Sequence, residues 1–246
     1  MSREAPVRFC EGVRVGVPCA TRLICTARSK EILQSKVLPA ITEFLKERGL
    51  DLSLEKTKIT HINDGFDFLG FNIRKYGKKL LIKPSEASIK KFSESLREVI
   101  RTLGNTSTIK LIANLNSKIR GWTNYYRSCV AKEIFNDIDT VVFESLWNML
   151  KSKHPKKGLH WIRDKYFTKI GLRNWCFFCK VKVKTGMKIY TLIKCAKTTI
   201  KRHIKIKGKA TPFDEDFKEY FASRENRLKE ERINNRIVNN YNLKGA

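Results

Sequence analysis

The chain of 246 residues carries 51 Lys+Arg against 24 Asp+Glu, a formal net charge of +27, and is 41% hydrophobic. That length and apolar content exclude a wholly disordered chain and suit one large or two modest domains. The charge points to polyanionic partners, nucleic acid first and an anionic membrane surface second.

Residues 1–20 show no clean period. From Ser29 onward Ile32, Leu33, Val37, Ile41, Phe44 and Leu45 recur at helical spacing, with Gly49 as the stop signal. Lys58 to Ile62 reads as a strand, and Phe66 to Ile73 alternates with period two before Tyr76-Gly77-Lys78 turns into Leu80-Leu81-Ile82. This pattern predicts a hairpin. Ser85 is placed to cap a helix whose stripe is Ile89, Phe92, Leu96, Val99 and Leu103. A second stripe follows at Ile112, Leu115, Ile119, Trp122 and Tyr126, and a third at Ile134, Ile138, Val141, Ser145 and Met149. Three amphipathic helices joined by short loops predict a helical bundle, ended by Pro155 and Gly158. A short helix over 160–167, strands within 175–194 and a helical, charge-balanced C-terminal stretch complete the chain. The expected class is α+β and mostly helical.

The charge is uneven. Residues 151–210 carry 19 basic side chains and one acidic, net +18, whereas residues 211–246 carry seven of each sign. Such a segment repels itself without a counter-charge and is expected to bind nucleic acid. Its candidate contacts are Lys156, Lys157, Arg163, Lys165, Arg173, Lys180, Lys182, Lys184, Lys201, Arg202, Lys205 and Lys207. Residues 118–127 interleave cations, aromatics and an amide on one predicted helix. Cations hold phosphates, aromatics stack bases, and amides reach base edges. Trp122 and Tyr126 fall on the apolar stripe and are expected in the core, leaving Lys118, Arg120, Asn124, Tyr125 and Arg127 as the contact candidates.

Signs of catalysis are scarce. Cys176 and Cys179 have the spacing of half a zinc site that Cys195 and His203 could complete, although buried thiols fit the apolar flanks equally well. Asp137 and Asp139, two apart on a helix, diverge by about 200° and cannot share a metal. No Asp-Asp pair, Walker A loop, HExxH or GxSxG occurs. No catalytic centre, metal site or cofactor is expected. Seven scattered cysteines argue against a disulfide framework, and the absence of a signal core or a run of about 18 apolar residues predicts a cytoplasmic protein without a membrane span.

Taken together, several tracts resemble the C-terminal part of group II intron maturases, intron-encoded proteins of reverse transcriptase ancestry. Ala27-Arg28-Ser29-Lys30-Glu31, Glu55-Lys56-Thr57-Lys58 and the run Phe66 to Phe71 resemble the last palm motifs, with Phe68, Leu69, Gly70 and Phe71 matching the primer-grip hairpin. The helices at 86–150, with Gly121-Trp122-Thr123-Asn124-Tyr125-Tyr126, resemble the thumb, or X domain. Arg173-Asn174-Trp175 and the basic stretch beyond resemble the DNA-binding region. The resemblance implies a degenerate segment at 1–26, a palm remnant at 27–84, a thumb at 85–155, a basic nucleic-acid-binding region at 156–225 and a tail at 226–246. It also implies group II intron RNA as partner, with target DNA as a second polyanion.

Two departures matter. The family's polymerase motif, Tyr-Ala-Asp-Asp-Phe, would fall where this chain has Cys19-Ala20-Thr21-Arg22-Leu23, so a threonine and an arginine replace two metal-binding acids. Codons for Val-Arg-Tyr-Ala-Asp, read one nucleotide later, encode Cys-Ala-Thr-Arg, which predicts a frame-shifted remnant of the motif. The fingers and the optional endonuclease are also expected to be missing. The expectation is an RNA-binding maturase fragment without its own polymerase site. The rival readings are a reverse transcriptase half completed by a separate N-terminal part and a generic basic nucleic-acid-binding protein.

Overall fold

The structure, a computed structural model, describes residues 7–14, 21–183, 186–201, 206–208, 210–227 and 229–230. It is mixed α/β, and its contacts divide the chain into two units. One comprises Met1–Ser95, Trp122–Ile138 and Thr198–Ile200; the other comprises Leu96–Gly121, Asp139–Lys197 and Lys201–Ala246.

In the first unit β1 (Val7–Arg14) pairs antiparallel with β2 (Thr21–Thr26), β3 (Asp51–Leu52) and β4 (Thr57–Lys58). No period marked β1 in the sequence, and its register shift between Glu11 and Val13 explains why: a bulge breaks the alternation. Ser29 caps α1 (Lys30–Ile32), which passes through a π-turn at Leu33–Val37 into α2 (Leu38–Lys46). That wider turn rotates the expected stripe, so Leu33 and Leu45 are buried while Ile32 and Phe44 stay exposed. The strand expected over Lys58 to Ile62 ends at Lys58, because the chain turns at His61–Gly65, where Asp64 and Gly65 both donate to the His61 carbonyl.

The next sheet is a meander of β5 (Phe66–Phe68), β6 (Phe71–Tyr76) and β7 (Lys79–Pro84). The expected turn at Tyr76–Lys79 is present, but the alternating run is also folded at Leu69–Gly70. Leu69 (φ +48°) and Gly70 (φ +81°) are both left-handed, as in the primed two-residue hairpin turns, and set Phe68 opposite Phe71.

Three long helices follow: α3 (Glu86–Leu103), α4 (Thr108–Tyr126) and α5 (Lys132–Lys153). The Ser85 hydroxyl accepts from Ser88 N at 3.3 Å and caps α3 as expected. In the first unit Phe92 of α3 stacks on Trp122 of α4 at 4.5 Å, and Trp122 meets Phe135 of α5 edge-on at 5.8 Å. In the second unit Leu96, Ile100, Leu111, Ile112, Leu115, Ile119, Val142, Leu146 and Leu150 are buried. The core stripe of α5 is therefore Phe135, Ile138, Val142, Leu146 and Leu150, which shares only Ile138 with the expected one. Ile134, Val141, Ser145 and Met149 flank it half-buried. Adjacent apolar residues let either register satisfy the period, and the larger Phe135 takes the interior.

The second unit continues with α6 (Leu159–Tyr166) and an antiparallel sheet, β8 (Phe167–Ile170), β9 (Arg173–Val183) and β10 (Gly186–Thr191), in the order β10-β9-β8. Two polar groups, buried Asn116 and half-buried Asp139, fix its loops. Asn116 donates to the Thr191 carbonyl at 2.8 Å and accepts from Ile193 N at 2.9 Å. Asp139 accepts from Cys195 N at 2.7 Å and Ala196 N at 3.1 Å, capping the turn Cys195–Lys197. Burial raises the Asp139 carboxyl above its ordinary value, against the pull of these N–H groups and Lys194. The β8–β9 register shifts between Thr168 and Ile170, and Trp175 there has φ +61°. A left-handed residue with a Cβ costs about 1–2 kcal/mol. Residues 218–227 are helical, in keeping with the expected helical C-terminal stretch.

Candidate nucleic-acid interface

The turn of the β5–β6 hairpin is clasped from α4. Tyr125 Oη donates to the Leu69 carbonyl at 2.8 Å, and Tyr126 Oη donates to the Gly70 carbonyl at 2.9 Å. Ser85 N also donates to Gly70 O, at 2.8 Å, and the Ser88 and Tyr126 hydroxyls lie 2.6 Å apart. The Phe71 ring meets Tyr125 at 5.1 Å and Tyr126 at 5.0 Å. Gly70 is required twice over: its φ is left-handed, and a Cβ would stand 2.6 Å from Tyr126 Oη. Phe68, Leu69, Gly70 and Phe71 thus form one hydrogen-bonded turn against α4. Burial raises the Tyr126 hydroxyl above its ordinary range, so it stays a neutral donor.

Tyr126 is buried as the stripe implies; Trp122 is half-buried, and its indole N–H lies in the interior without an acceptor among the described residues. Tyr125 keeps an exposed ring while its hydroxyl is engaged. On α4, Arg120 and Asn124 are four residues apart and share an exposed face, whereas Lys118 and Tyr125, seven apart, share another. Arg127 follows the helix, half-buried. The five expected contacts are therefore not one patch.

In the second unit the start of the basic segment is interleaved with aromatic rings. Lys157 and Lys165 place their ammonium groups 5.4 Å and 4.5 Å from the centre of the Trp161 ring. His154 meets that ring at 5.0 Å, and its Nε2 lies 2.8 Å from Tyr166 Oη. Burial, then Lys165, Lys153 and Lys157, lower the His154 pKa, so the imidazole is neutral at pH 7. Trp161 was missed in the sequence, although its signal is there: lysines four residues to either side. Lys156 is exposed in the loop before α6. Arg163 is paired with Asp164 at 2.8 Å, which holds that carboxyl below its ordinary range. Asp164 is the sole acid of residues 151–210, so the remaining cations there have no acidic neighbour within the segment.

Along β9, Lys180 and Lys182 share one face, and Lys188 of β10, opposite Val181, takes the other. Arg173 opens β9, half-buried. Lys207 is exposed and its N–H donates to Tyr220 Oη at 3.1 Å, while Lys201 is half-buried. Lys184, Arg202 and Lys205 lie outside the described residues, as does His203. Cys176 and Cys179 sit on one continuous strand, where three residues span about 10 Å and alternate residues face opposite ways. They do not form a chelating turn. Cys195 is buried, and burial with Asp139 beside it raises its thiol pKa far above the ordinary value. Among the described residues no three His, Cys, Asp or Glu side chains converge as a metal site, and no helix is long and apolar enough to cross a membrane.

The chain shares 28% identity over 138 residues with the ribosomal operon-associated A protein of Euglena longa, covering 55% of this chain and 26% of that protein. The protein of the same name from Euglena gracilis is 28% identical over 112 residues, 45% of this chain and 21% of that protein. The chain thus spans about a quarter of the length of the curated relatives it matches. Residues 89–167, from α3 to the start of β8, match the family described as group II intron, maturase-specific domain. That matched stretch contains Tyr125 and Tyr126 of the clasp and the Trp161 cluster, so both lie in the part of the chain that is similar to the maturase-specific domain.

Proposed function

We propose that this chain binds a folded group II intron RNA and assists its splicing without covalent chemistry of its own. The match of residues 89–167 to the maturase-specific domain carries the reading. In it, residues 27–84 are the end of a palm, 85–155 the thumb and 156–225 the basic nucleic-acid-binding region. The protein supplies cations and aromatic faces that stabilise one fold of the RNA, and the RNA's own groups exchange the phosphodiester bonds. Lys118, Arg120, Asn124, Tyr125 and Arg127 are assigned to intron RNA, while Lys156, Lys157, Lys165, Lys180 and Lys182 hold the phosphates of intron RNA or target DNA.

Polymerase activity is not assigned. Two-metal nucleotidyl transfer needs carboxylates to hold the cations, and the chain offers Thr21 and Arg22 where the family's acids align. The test is binding to a group II intron RNA and to an unrelated structured RNA of equal length, at two salt concentrations. We expect at least tenfold preference for the intron at the higher salt, where non-specific phosphate contacts weaken most. Equal affinities would reduce the protein to a generic basic binder. Primer extension with magnesium above a no-protein control would overturn the absence of polymerase activity.

A further inference from the structure

Four aromatic rings converge where the β8–β9 hairpin meets α5. The Trp175 ring lies 5.9 Å from Phe143, 5.6 Å from Trp147 and 5.6 Å from Phe167, centre to centre. Phe167 is buried, but Trp175 and Phe143 remain 45% and 37% exposed. None of the three rings is parallel to the indole; their planes cross it at 86°, 73° and 60°. At the hairpin tip, beside the left-handed Gly171, Leu172 is fully exposed. Exposed rings, with an exposed leucine at the tip of the same hairpin, mark an interaction site.

The backbone is bent to present it. Thr168 pairs with Cys176 and Ile170 with Arg173, so Lys169 stands opposite two residues, Asn174 and Trp175. This is a β-bulge, and Trp175 holds its left-handed position, which glycine would occupy without strain. Bulges re-aim side chains, and strain at a bulky residue persists where the surroundings hold it for a purpose. The bend alone does not call for tryptophan.

Charge selects the occupant. Lys169 faces the bulge across the strand pair, and Arg173 opens β9 on the other side of the tip. An apolar protein partner would bury these cations without a counter-charge. An unpaired nucleotide brings a flat apolar base for the indole and phosphates for the cations. Glu144, next to Phe143 on α5, sets the phosphates on the hairpin side rather than the helix side.

We propose that Trp175, supported by Phe143 and Trp147, is a stacking platform for an unpaired base of RNA. Leu172 wedges beside the base, and Lys169 and Arg173 hold the flanking phosphates. The assignment rests on the RNA-binding reading and narrows it to unpaired nucleotides.

The test compares binding of the full chain to a single-stranded RNA of about 12 nucleotides and to the same sequence as a duplex. Trp175→Gly, which removes the ring at a φ glycine adopts freely, is expected to weaken single-strand binding about tenfold and duplex binding less than about twofold. Trp175→Phe keeps an aromatic face and stays within about threefold of wild type. Leu172→Ala, at a fully exposed position, loses about threefold on the single strand alone. Should Trp175→Gly unfold, Leu172→Ala decides. Wild-type single-strand affinity in both variants, or equal losses on both probes, overturns the assignment. Self-association abolished by Trp175→Gly with RNA affinity unchanged overturns it too, in favour of a protein interface. Selective intron binding that ignores Trp175→Gly leaves the proposed function standing and removes this inference. Trp175-dependent binding without intron preference does the reverse.

Discussion

Leu69 and Trp175 both hold positive φ without being glycine, at +48° and +61°, and both sit in hairpins. Their surroundings differ. At Leu69 the strained backbone is fastened: its carbonyl accepts from Tyr125 and the next carbonyl accepts from Tyr126 and Ser85. The charge there is mixed, with 14 basic and nine acidic side chains across residues 61–150. At Trp175 the indole meets the rings of Phe143, Trp147 and Phe167, and the segment around it, residues 151–210, holds 19 cations and one acid. The same backbone device thus serves two ends. Where hydrogen bonds tie the turn down it joins a hairpin to a helix, and where it ends in an exposed ring among cations it faces a partner.

Breaking the fastened turn should have the largest effect. Gly70→Ala adds a Cβ 2.6 Å from Tyr126 Oη at a left-handed φ. A loss of about 3 kcal/mol is expected, seen as a fall in Tm of about 10 °C. An unchanged Tm would show that the clasp is not tight. Next comes the half-buried cap of the second unit. Asp139→Ala strands the Cys195 and Ala196 N–H groups, at about 2 kcal/mol by denaturant unfolding.

Asp139 also carries a pH signature. Its folded pKa is raised above the ordinary 3.8 by burial, so the folded state binds the proton more tightly than the unfolded chain. The stability from the protonated form is full below about pH 3.8 and is lost as pH rises through the folded value. Asp139→Asn should flatten that part of the stability curve. A slope unchanged in the variant would assign it to another group.

The helices α3 and α4 were legible from apolar residues stepping by three and four, although packing buries Ile100 rather than the expected Val99 and adds Leu111 beside Ile112. The register of α5 was missed because Ile134 and Phe135 are both apolar, so only packing decides between them. The Leu69–Gly70 fold has a signal that a single alternating run overlooks: the apolar phase shifts from Phe66 and Phe68 to Phe71 and Ile73 across a glycine, although leucine is not a turn residue. The spacing of Asp137 and Asp139 excluded a shared metal but could not show the capping role of Asp139, whose partners lie 56 and 57 residues away, beyond any local pattern. The Cys176–Cys179 spacing could not say whether it lay in a turn or along a strand. The basic segment was legible by counting alone, but the division of Lys180 and Lys182 from Lys188 needs the strand register.

Two smaller changes sharpen the contrast between fastening and binding. Tyr126→Phe removes the hydroxyl from Gly70 O and Ser88 but leaves Ser85 N on that carbonyl. About 1 kcal/mol is expected, a fall in Tm of about 3 °C, with the salt dependence of RNA binding unchanged.

Lys157→Ala and Lys165→Ala should do the opposite. Both side chains are exposed, and their attraction to the Trp161 ring is worth little in water. Stability should therefore stay within about 0.5 kcal/mol of wild type. Each ammonium that holds a phosphate contributes a released counterion, so each variant should lower the slope of log K against log salt by about one, evenly across RNA sequences. Titrations at three salt concentrations decide it. A slope unchanged by both substitutions would move the phosphate contacts off the Trp161 cluster. An accompanying loss of stability would place that cluster with the Leu69 clasp, as a fastening rather than a binding surface.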